Sequence, residues 1–132
     1  MPATDQIVSK VPAHIVANAR PASAANGGRI CDYNIAAWLH APGMADLPVT
    51  LLASYRDGGQ QREVLIDHGT LNAHGKVLLS GIARLPYRQK IEEMQVRMRT
   101  AVGLSRFTVE EIFVQAVEQV TDSRTLASSL IP

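Results

Sequence analysis

The side chains best placed to do chemistry are two histidines around a predicted turn. His68 follows Asp67, and His74 comes six residues later, within the turn-forming stretch Asn72-Ala73-His74-Gly75. A hairpin here could bring the two imidazoles together as metal ligands, or let an aspartate orient one of them as a general base. With Tyr87, these histidines form the candidate ligand or metal site: His68, His74 and Tyr87.

Strand geometry weakens the acid–base version of this site. Adjacent residues on a strand point to opposite faces, so Asp67 and His68 are not expected to pair with each other. The same alternation would place His68 on one face with Val64 and Ile66, at the margin of the core. The simpler interpretation is a hydrogen-bonded histidine at that margin, with Asp67 serving the turn.

The other reactive groups point to structural roles. Cys31 is the only cysteine, so the chain has no disulfide of its own, and no base or helix N-terminus beside it would activate a thiolate. The pairs Gly27-Gly28 and Gly58-Gly59 do not have the spacing of a phosphate-binding loop. The sequence therefore predicts no cofactor and no catalytic residue, and it favours a non-catalytic protein over an enzyme.

Two arginines could form a basic strip. Arg97 and Arg99 alternate with Val96 and Met98, which places both guanidinium groups on one face of a predicted strand. The whole chain carries 13 basic and 12 acidic residues, so no global positive field would recruit nucleic acid. A solvated outer face is the simpler interpretation, and nucleic-acid binding through this strip is the weakest alternative.

The segment from Arg62 to Thr100 holds the elements that must position these residues. It contains three apolar runs, at 64–66, 77–85 and 94–98, with turn residues between them. Before it, residues 49–56 alternate, and Asp57-Gly58-Gly59-Gln60 follows. Two alternating runs around an Asp-Gly loop predict a hairpin between 49–56 and 62–68.

Residues 30–40 predict another strong strand. Its odd-numbered residues from Cys31 to Leu39 would share the buried face, and Trp38 would stand on the more polar face. A further short strand is predicted at His14–Arg20. The predicted buried residues in the other strands are Val49, Leu51, Val64, Ile66, Val77, Leu79, Met94 and Val96.

Residues 107–120 fit two structures. As a helix over 109–120, the segment would have Thr108 as its N-cap and Glu111 completing a capping box. As a strand, it would place Phe113 and Val117 on one face, and its β-branched and aromatic content slightly favours this. The helix is kept as the alternative.

About seven strands with turns between them predict an all-β, mainly antiparallel domain, a β-sandwich or small barrel. Its 46% hydrophobic and 19% charged residues are typical of a globular protein. We expect one domain over 1–132, with a loose or edge-pairing N-terminal segment at 1–12 and a C-terminal tail at 121–132. No signal peptide or membrane-length apolar run is evident, so a cytoplasmic location without membrane association is expected.

The function favoured by the sequence is a non-catalytic β-sandwich interaction module that binds a protein partner or self-associates. Trp38, Leu130 and Ile131 are the candidate interface, and a two-fold homodimer is the expected assembly. The alternative is a small-molecule or metal-binding protein, or a small enzyme, with a pocket near His68 and His74.

Overall fold

Eight β-strands and one short helix make up the part of the chain that the structure describes, residues 4–24, 27–104 and 106–117 of a computed structural model. In chain order they are β1 Thr4–Lys10, α1 Ala13–Ala17, β2 Ala22–Ser23, β3 Arg29–His40, β4 Pro48–Asp57, β5 Gln60–Thr70, β6 Lys76–Tyr87, β7 Ile91–Thr100 and β8 Thr108–Ala116. None of the helical structure in these residues is long and apolar enough to cross a membrane.

The strands form two antiparallel sheets with the core between them. Sheet A has the order β1-β7-β4-β5. In sheet B, β3 pairs with β6 along its whole length, and β2 and β8 pair with separate parts of β3. This confirms the predicted mainly antiparallel β-sandwich, with eight strands where about seven were expected.

The hairpin predicted from the Asp-Gly loop is confirmed. β4 and β5 pair from Asp57↔Gln60 to Pro48↔Thr70, so the connection is the two residues Gly58 and Gly59. Both have positive φ, at 58° and 91°, which is the left-handed conformation that a two-residue hairpin needs.

The predicted core is confirmed at its centre. Five of the predicted residues are at most 2% exposed: Val49, Leu51, Leu79, Met94 and Val96. Val64, Ile66 and Val77 are half-buried and pack against this cluster. Strand β3 also follows its predicted alternation, since Cys31, Tyr33, Ile35, Ala37 and Leu39 are all buried.

Residues 14–20 do not form the predicted strand, and that prediction is wrong. Ala13–Ala17 is a short helix after Pro12, whose missing N–H costs nothing at a helix start. The helical turn lets Ile15 and Val16 pack against the core together, and the Tyr33 hydroxyl donates a hydrogen bond to the Val16 carbonyl oxygen at 2.8 Å. Tertiary packing therefore overrides the alternating pattern.

The C-terminal segment adopts the favoured strand and not the alternative helix. β8 pairs with β3 from His40↔Thr108 to Tyr33↔Ala116, with a bulge between Trp38 and Leu39. The strand is favoured because the edge of β3 offers hydrogen-bond partners to the backbone of β8. Local sequence alone would accept either the strand or the helix, so this pairing decides between them. The last residues of the proposed helix, 118–120, and the predicted tail at 121–132 lie outside the described residues.

At the other end of the chain, residues 4–10 form a sheet edge. β1 pairs with β7 from Thr4↔Thr100 to Lys10↔Gln95, with a register shift between Ile7 and Ser9. Seven of the twelve residues of the N-terminal segment predicted at 1–12 therefore lie in an edge strand, paired with a strand that lies far along the chain.

Two neighbouring edges, β5 of sheet A and β6 of sheet B, approach each other closely. A Cβ on Gly81 would lie 2.5 Å from the carbonyl oxygen of Ile66, so only glycine fits there. Nearby, the Asp67 carboxylate accepts the backbone N–H of Ser80 at 2.9 Å. These contacts join the two sheets along one side of the sandwich.

Candidate functional site

Four large apolar side chains are exposed together on the outer face of sheet B, and we call them the apolar face. Trp38 of β3 is 40% exposed, Leu78 and Ile82 of β6 are 46% and 51% exposed, and Phe113 of β8 is 50% exposed. Each alternates with buried or half-buried neighbours in its own strand, so burial of one sheet face fixes the outward direction of these side chains.

Strand register places the four side chains in adjacent rows. The outward residues of the first row are Leu78, Trp38 and Glu111, those of the second are Ser80, Ala36 and Phe113, and those of the third are Ile82, Asn34 and Gln115. Neighbouring strands are about 4.8 Å apart, so side chains within a row can touch. The small residues Ala36 and Ser80 leave a shallow hollow of about 270 Å³ beside Ile82 and Phe113.

Charged side chains border the apolar face at both ends. Beyond the first row, Lys76 Nζ lies 3.5 Å from Glu110 Oε2, and His40 Nδ1 lies 3.9 Å from the same carboxylate. Beyond the third row, Arg84 Nε lies 3.8 Å from Asp32 Oδ2, while 71% of the Arg84 side chain is exposed. An apolar centre with a charged rim is the usual composition of a protein interface.

A second concave surface, which we call the polar hollow, lies on the outer face of sheet A. Its volume is about 370 Å³, and it is lined by Asp5, Ser54, Gln61, Glu63, Glu93, Gln95 and Arg97. Carboxylates, amides, a hydroxyl and a guanidinium group here offer hydrogen-bond donors and acceptors side by side. No aromatic side chain is in this lining.

Arg99 binds two of the carboxylates that line the polar hollow, those of Asp5 and Glu63. It donates to both oxygens of Asp5, at 2.6 and 2.8 Å, and to both oxygens of Glu63, at 3.2 and 2.9 Å. The hydrogen bonds from Arg99 are the largest influence on Asp5 and hold the pKa of this carboxyl below its usual value, although burial opposes them. The hydrogen bonds from Asp5 and Glu63 in turn raise the pKa of Arg99, which is charged at any physiological pH.

These contacts change the interpretation of the predicted basic strip. Arg97 and Arg99 do share an outer face, but Arg99 is neutralised by Asp5 and Glu63, and Arg97 Nη1 donates to Gln95 at 2.9 Å. The buried Arg97 Nε makes no hydrogen bond to the described residues and lies 3.8 Å from Asp5 Oδ2. The surface is mixed in charge, which does not favour binding to a phosphate backbone.

The structure does not bring His68, His74 and Tyr87 into one pocket. His74 lies in the exposed turn just before β6 and Tyr87 is the last residue of β6, so roughly 36 Å of strand separates them. His68 is exposed opposite Thr50 at the far edge of sheet A. Among the described residues, no cluster of three or more His, Cys, Asp or Glu side chains could hold a metal ion, and the two-histidine pair stays a prediction.

His68 also lies on the opposite face from the predicted one. A bulge opposite Leu51 and Leu52 adds one residue to β5 at Ile66, so the alternation reverses beyond this point. Asp67 therefore points toward β6 and accepts the Ser80 N–H, while His68 points to solvent. The predicted role of Asp67 in the turn becomes a link between the sheets.

Tyr87 belongs to a different, buried cluster around the only cysteine. The Cys31 thiol donates to the Tyr87 hydroxyl at 3.8 Å, and both residues line a hollow of about 340 Å³ beside α1. Burial raises the pKa of Cys31 and the pKa of Tyr87, so both groups stay neutral at physiological pH. This supports the predicted structural role of Cys31.

Of the interface residues predicted from the sequence, Trp38 is exposed as expected, and Leu130 and Ile131 lie outside the described residues. Sequence reasoning missed Leu78, Ile82 and Phe113. The first two could have been found, because they alternate with the buried Leu79, Ala83 and Leu85 along β6. Their meeting with Trp38 depends on the pairing of β3 with β6, which no local pattern reveals.

Comparison with known proteins identifies a fold and no family. No protein-family model and no curated protein matches the sequence. The chain is similar to the crystal structure of the N-terminal endo-1,4-β-D-xylanase 10B from Clostridium thermocellum, described as its CBM22-1–GH10 modules complexed with xylohexaose. The TM-score is 0.53 at 14% identity, over 73% of this chain and 20% of that one. This likeness supports the β-sandwich assignment, and the chain spans about a fifth of the length of that xylanase.

Proposed function

We propose that this chain is a non-catalytic β-sandwich binding module that contacts a protein partner, or another copy of itself, through the apolar face. The observation that carries the proposal is the cluster of Trp38, Leu78, Ile82 and Phe113, each 40–51% exposed on adjacent strands. Isolated exposed apolar residues are common, but a contiguous group with a charged rim marks an association surface.

Two further features support the proposal. The side chains with shifted pKa values hold the fold together: Arg99 bridges two strands through Asp5 and Glu63, and Tyr87 contacts Cys31. The structural neighbour, whose CBM22-1–GH10 modules were solved complexed with xylohexaose, has a similar architecture, so this architecture is compatible with a binding role.

The test compares substitutions inside and outside the apolar face. Trp38→Ser and Phe113→Ser remove its aromatic side chains, while Val102→Ser removes a side chain that is 47% exposed elsewhere. We expect the immobilised wild-type chain and the immobilised Val102→Ser variant to retain the same binding partner, which is another protein or a second copy of the chain. The immobilised Trp38→Ser and Phe113→Ser variants should not retain this partner. Because Trp38 is the only tryptophan, its emission should also shift to shorter wavelength on binding. Equal retention by all four proteins would contradict the proposal.

A second candidate function is saccharide binding in the polar hollow. Ligands rich in hydroxyl groups need donors and acceptors together, as the lining around Ser54, Gln95 and Arg97 offers, and the structural neighbour was solved with xylohexaose. The test is calorimetric titration with xylohexaose and other neutral oligosaccharides. Arg97→Ala should abolish any heat of binding, and Arg84→Ala, on the other sheet, should leave it unchanged. No heat with any oligosaccharide at millimolar concentration would rule this out.

A further inference from the structure

We propose that the occupant of the apolar face is a second copy of this chain, packed face to face about a two-fold axis that places Glu111 of each copy against Arg84 of the other. The inference rests on the proposed function and deepens it by naming the partner. A two-fold interface uses the same patch on both subunits, so the patch must be complementary to itself.

The charges around the apolar face meet this requirement. Glu111 is exposed at the β8 end of the first row, and Arg84 lies on β6, two residues beyond Ile82 in the third row. They therefore occupy diagonally opposite corners of the patch. A two-fold axis in the plane of the face and perpendicular to this diagonal exchanges the corners, so that one rotation forms two acid–base pairs.

The same rotation brings apolar groups together at the centre. It carries Trp38 of one copy over Ile82 of the partner subunit, because these residues lie on either side of the axis in the first and third rows. Trp38 is the large aromatic anchor that interfaces favour, and the small residues Ala36 and Ser80 leave space beside Ile82. Apolar contact at the centre and opposite charges at two corners would fix the register.

The area of the face limits how tightly the copies can bind. The whole outer face of β3, β6 and β8, with strands about 4.8 Å apart and up to twelve residues long, covers roughly 500 Å² per copy. Two copies would bury about 1,000 Å², at the lower limit for a specific interface. We therefore expect a reversible dimer with a dissociation constant in the micromolar range.

Charge exchange tests the axis directly. Sedimentation velocity across the micromolar range should show the wild-type chain moving from 14.3 kDa toward twice that mass. Glu111→Arg alone and Arg84→Glu alone should each weaken the dimer by at least about tenfold, because like charges then meet at both corners. The double variant should dimerise again. An equimolar mixture of the two single variants should form a heterodimer, because every pair across its interface is again opposite in charge.

Arg56→Glu is the control, since it reverses a charge on the outer face of sheet A, and circular dichroism confirms that each variant is folded. Single variants that dimerise like the wild type, or a mixture that stays monomeric, would overturn the proposed axis. A wild-type chain that remains at 14.3 kDa throughout would overturn self-association. If Trp38→Ser still abolished retention of another protein, the proposed function would stand and only the identity of the partner would change.

Discussion

The carboxylate of Asp57, at the end of β4, accepts the backbone N–H of Gln89 at 2.8 Å, although the two residues are 32 positions apart. The same carboxylate accepts the N–H groups of Arg88 at 2.9 Å and Lys90 at 3.3 Å. One buried side chain in sheet A therefore holds the connection by which the chain leaves β6 and enters β7. A single ionised group organises the crossing between the two sheets.

This arrangement makes the stability of the fold depend on pH. Burial raises the pKa of Asp57, but the backbone N–H donors outweigh it, so the pKa in the folded state lies below its usual value. A carboxyl whose pKa is lower when folded stabilises the fold above its unfolded pKa, about 4, and this contribution is lost as pH falls through the folded pKa. We expect Asp57→Asn to destabilise the protein by about 1–3 kcal/mol at neutral pH, because the amide carries no negative charge and offers one acceptor oxygen in place of two.

Urea unfolding of the wild type and Asp57→Asn between neutral pH and pH about 3 measures this effect. The difference between them should shrink below about pH 4, where the carboxyl of the unfolded wild-type chain begins to be protonated. Glu92→Gln, an exposed control in the neighbouring strand, should show little change. A difference that is constant with pH would mean that the ionised form of Asp57 does not carry the stabilisation.

Leu51 and Leu65 form a matched pair that tests which strand faces are buried. Leu51 of β4 is fully buried, and Leu65 of β5 is 57% exposed on the outer face. Leu51→Ala should cost about 2–5 kcal/mol of unfolding free energy, and Leu65→Ala well under 1 kcal/mol. Thermal or denaturant unfolding gives both values. Equal losses would contradict this assignment of faces, and a larger loss for Leu65→Ala than for Leu51→Ala would indicate that the faces are reversed.

Gly81 tests the close approach of β5 and β6. Gly81→Ala should destabilise the fold by about 1–3 kcal/mol, because its Cβ would collide with the Ile66 carbonyl oxygen, and backbone cannot move aside as a side chain can. Gly103→Ala is the control, since a Cβ there meets nothing within 4 Å. Denaturant unfolding should separate the two variants, and similar stability for both would show that the strands are not so close.

Cys31 should react slowly with thiol reagents in the folded protein. It is 4% exposed and burial raises its pKa, so both access and the thiolate fraction are reduced. At mildly alkaline pH, labelling should be at least about a hundredfold slower than in denaturant, because it requires local opening. As the only cysteine, Cys31 gives an unambiguous signal. Rapid labelling of the folded chain would show that its cluster with Tyr87 opens readily.

The sequence predicts those parts of this fold that depend on local alternation. The hairpin through Gly58 and Gly59 and the buried side of β3 follow from residue period and turn chemistry alone. Alternation fails where one residue is inserted: the bulge at Ile66 moves His68 to solvent, and no sequence pattern marks that bulge. The short helix at 13–17 is decided by packing against Tyr33, which local propensity does not include.

Both candidate surfaces depend on pairings between distant segments. Asp5 and Arg99 meet because β1 pairs with β7, 94 positions away, and Phe113 joins Trp38 because β8 pairs with β3. Exposure of Trp38 could be predicted from its place in one strand. The group of four side chains could not, because it is assembled from three strands whose order in the sheet is set by the whole fold.

The pairing of β1 with β7 also determines when the fold can be completed during synthesis. Thr4 and Thr100 are partners, so β1, which leaves the ribosome before the other described strands, has no place in its sheet until β7 has been made. The β4–β5 hairpin can form early, because its strands are joined by two residues. Strand β1 cannot pair until β7 has been made, and β3 cannot complete its pairing until β6 and β8 have been made. Such long-range closure predicts slow folding, in the range of milliseconds to seconds, with β1 added among the last strands.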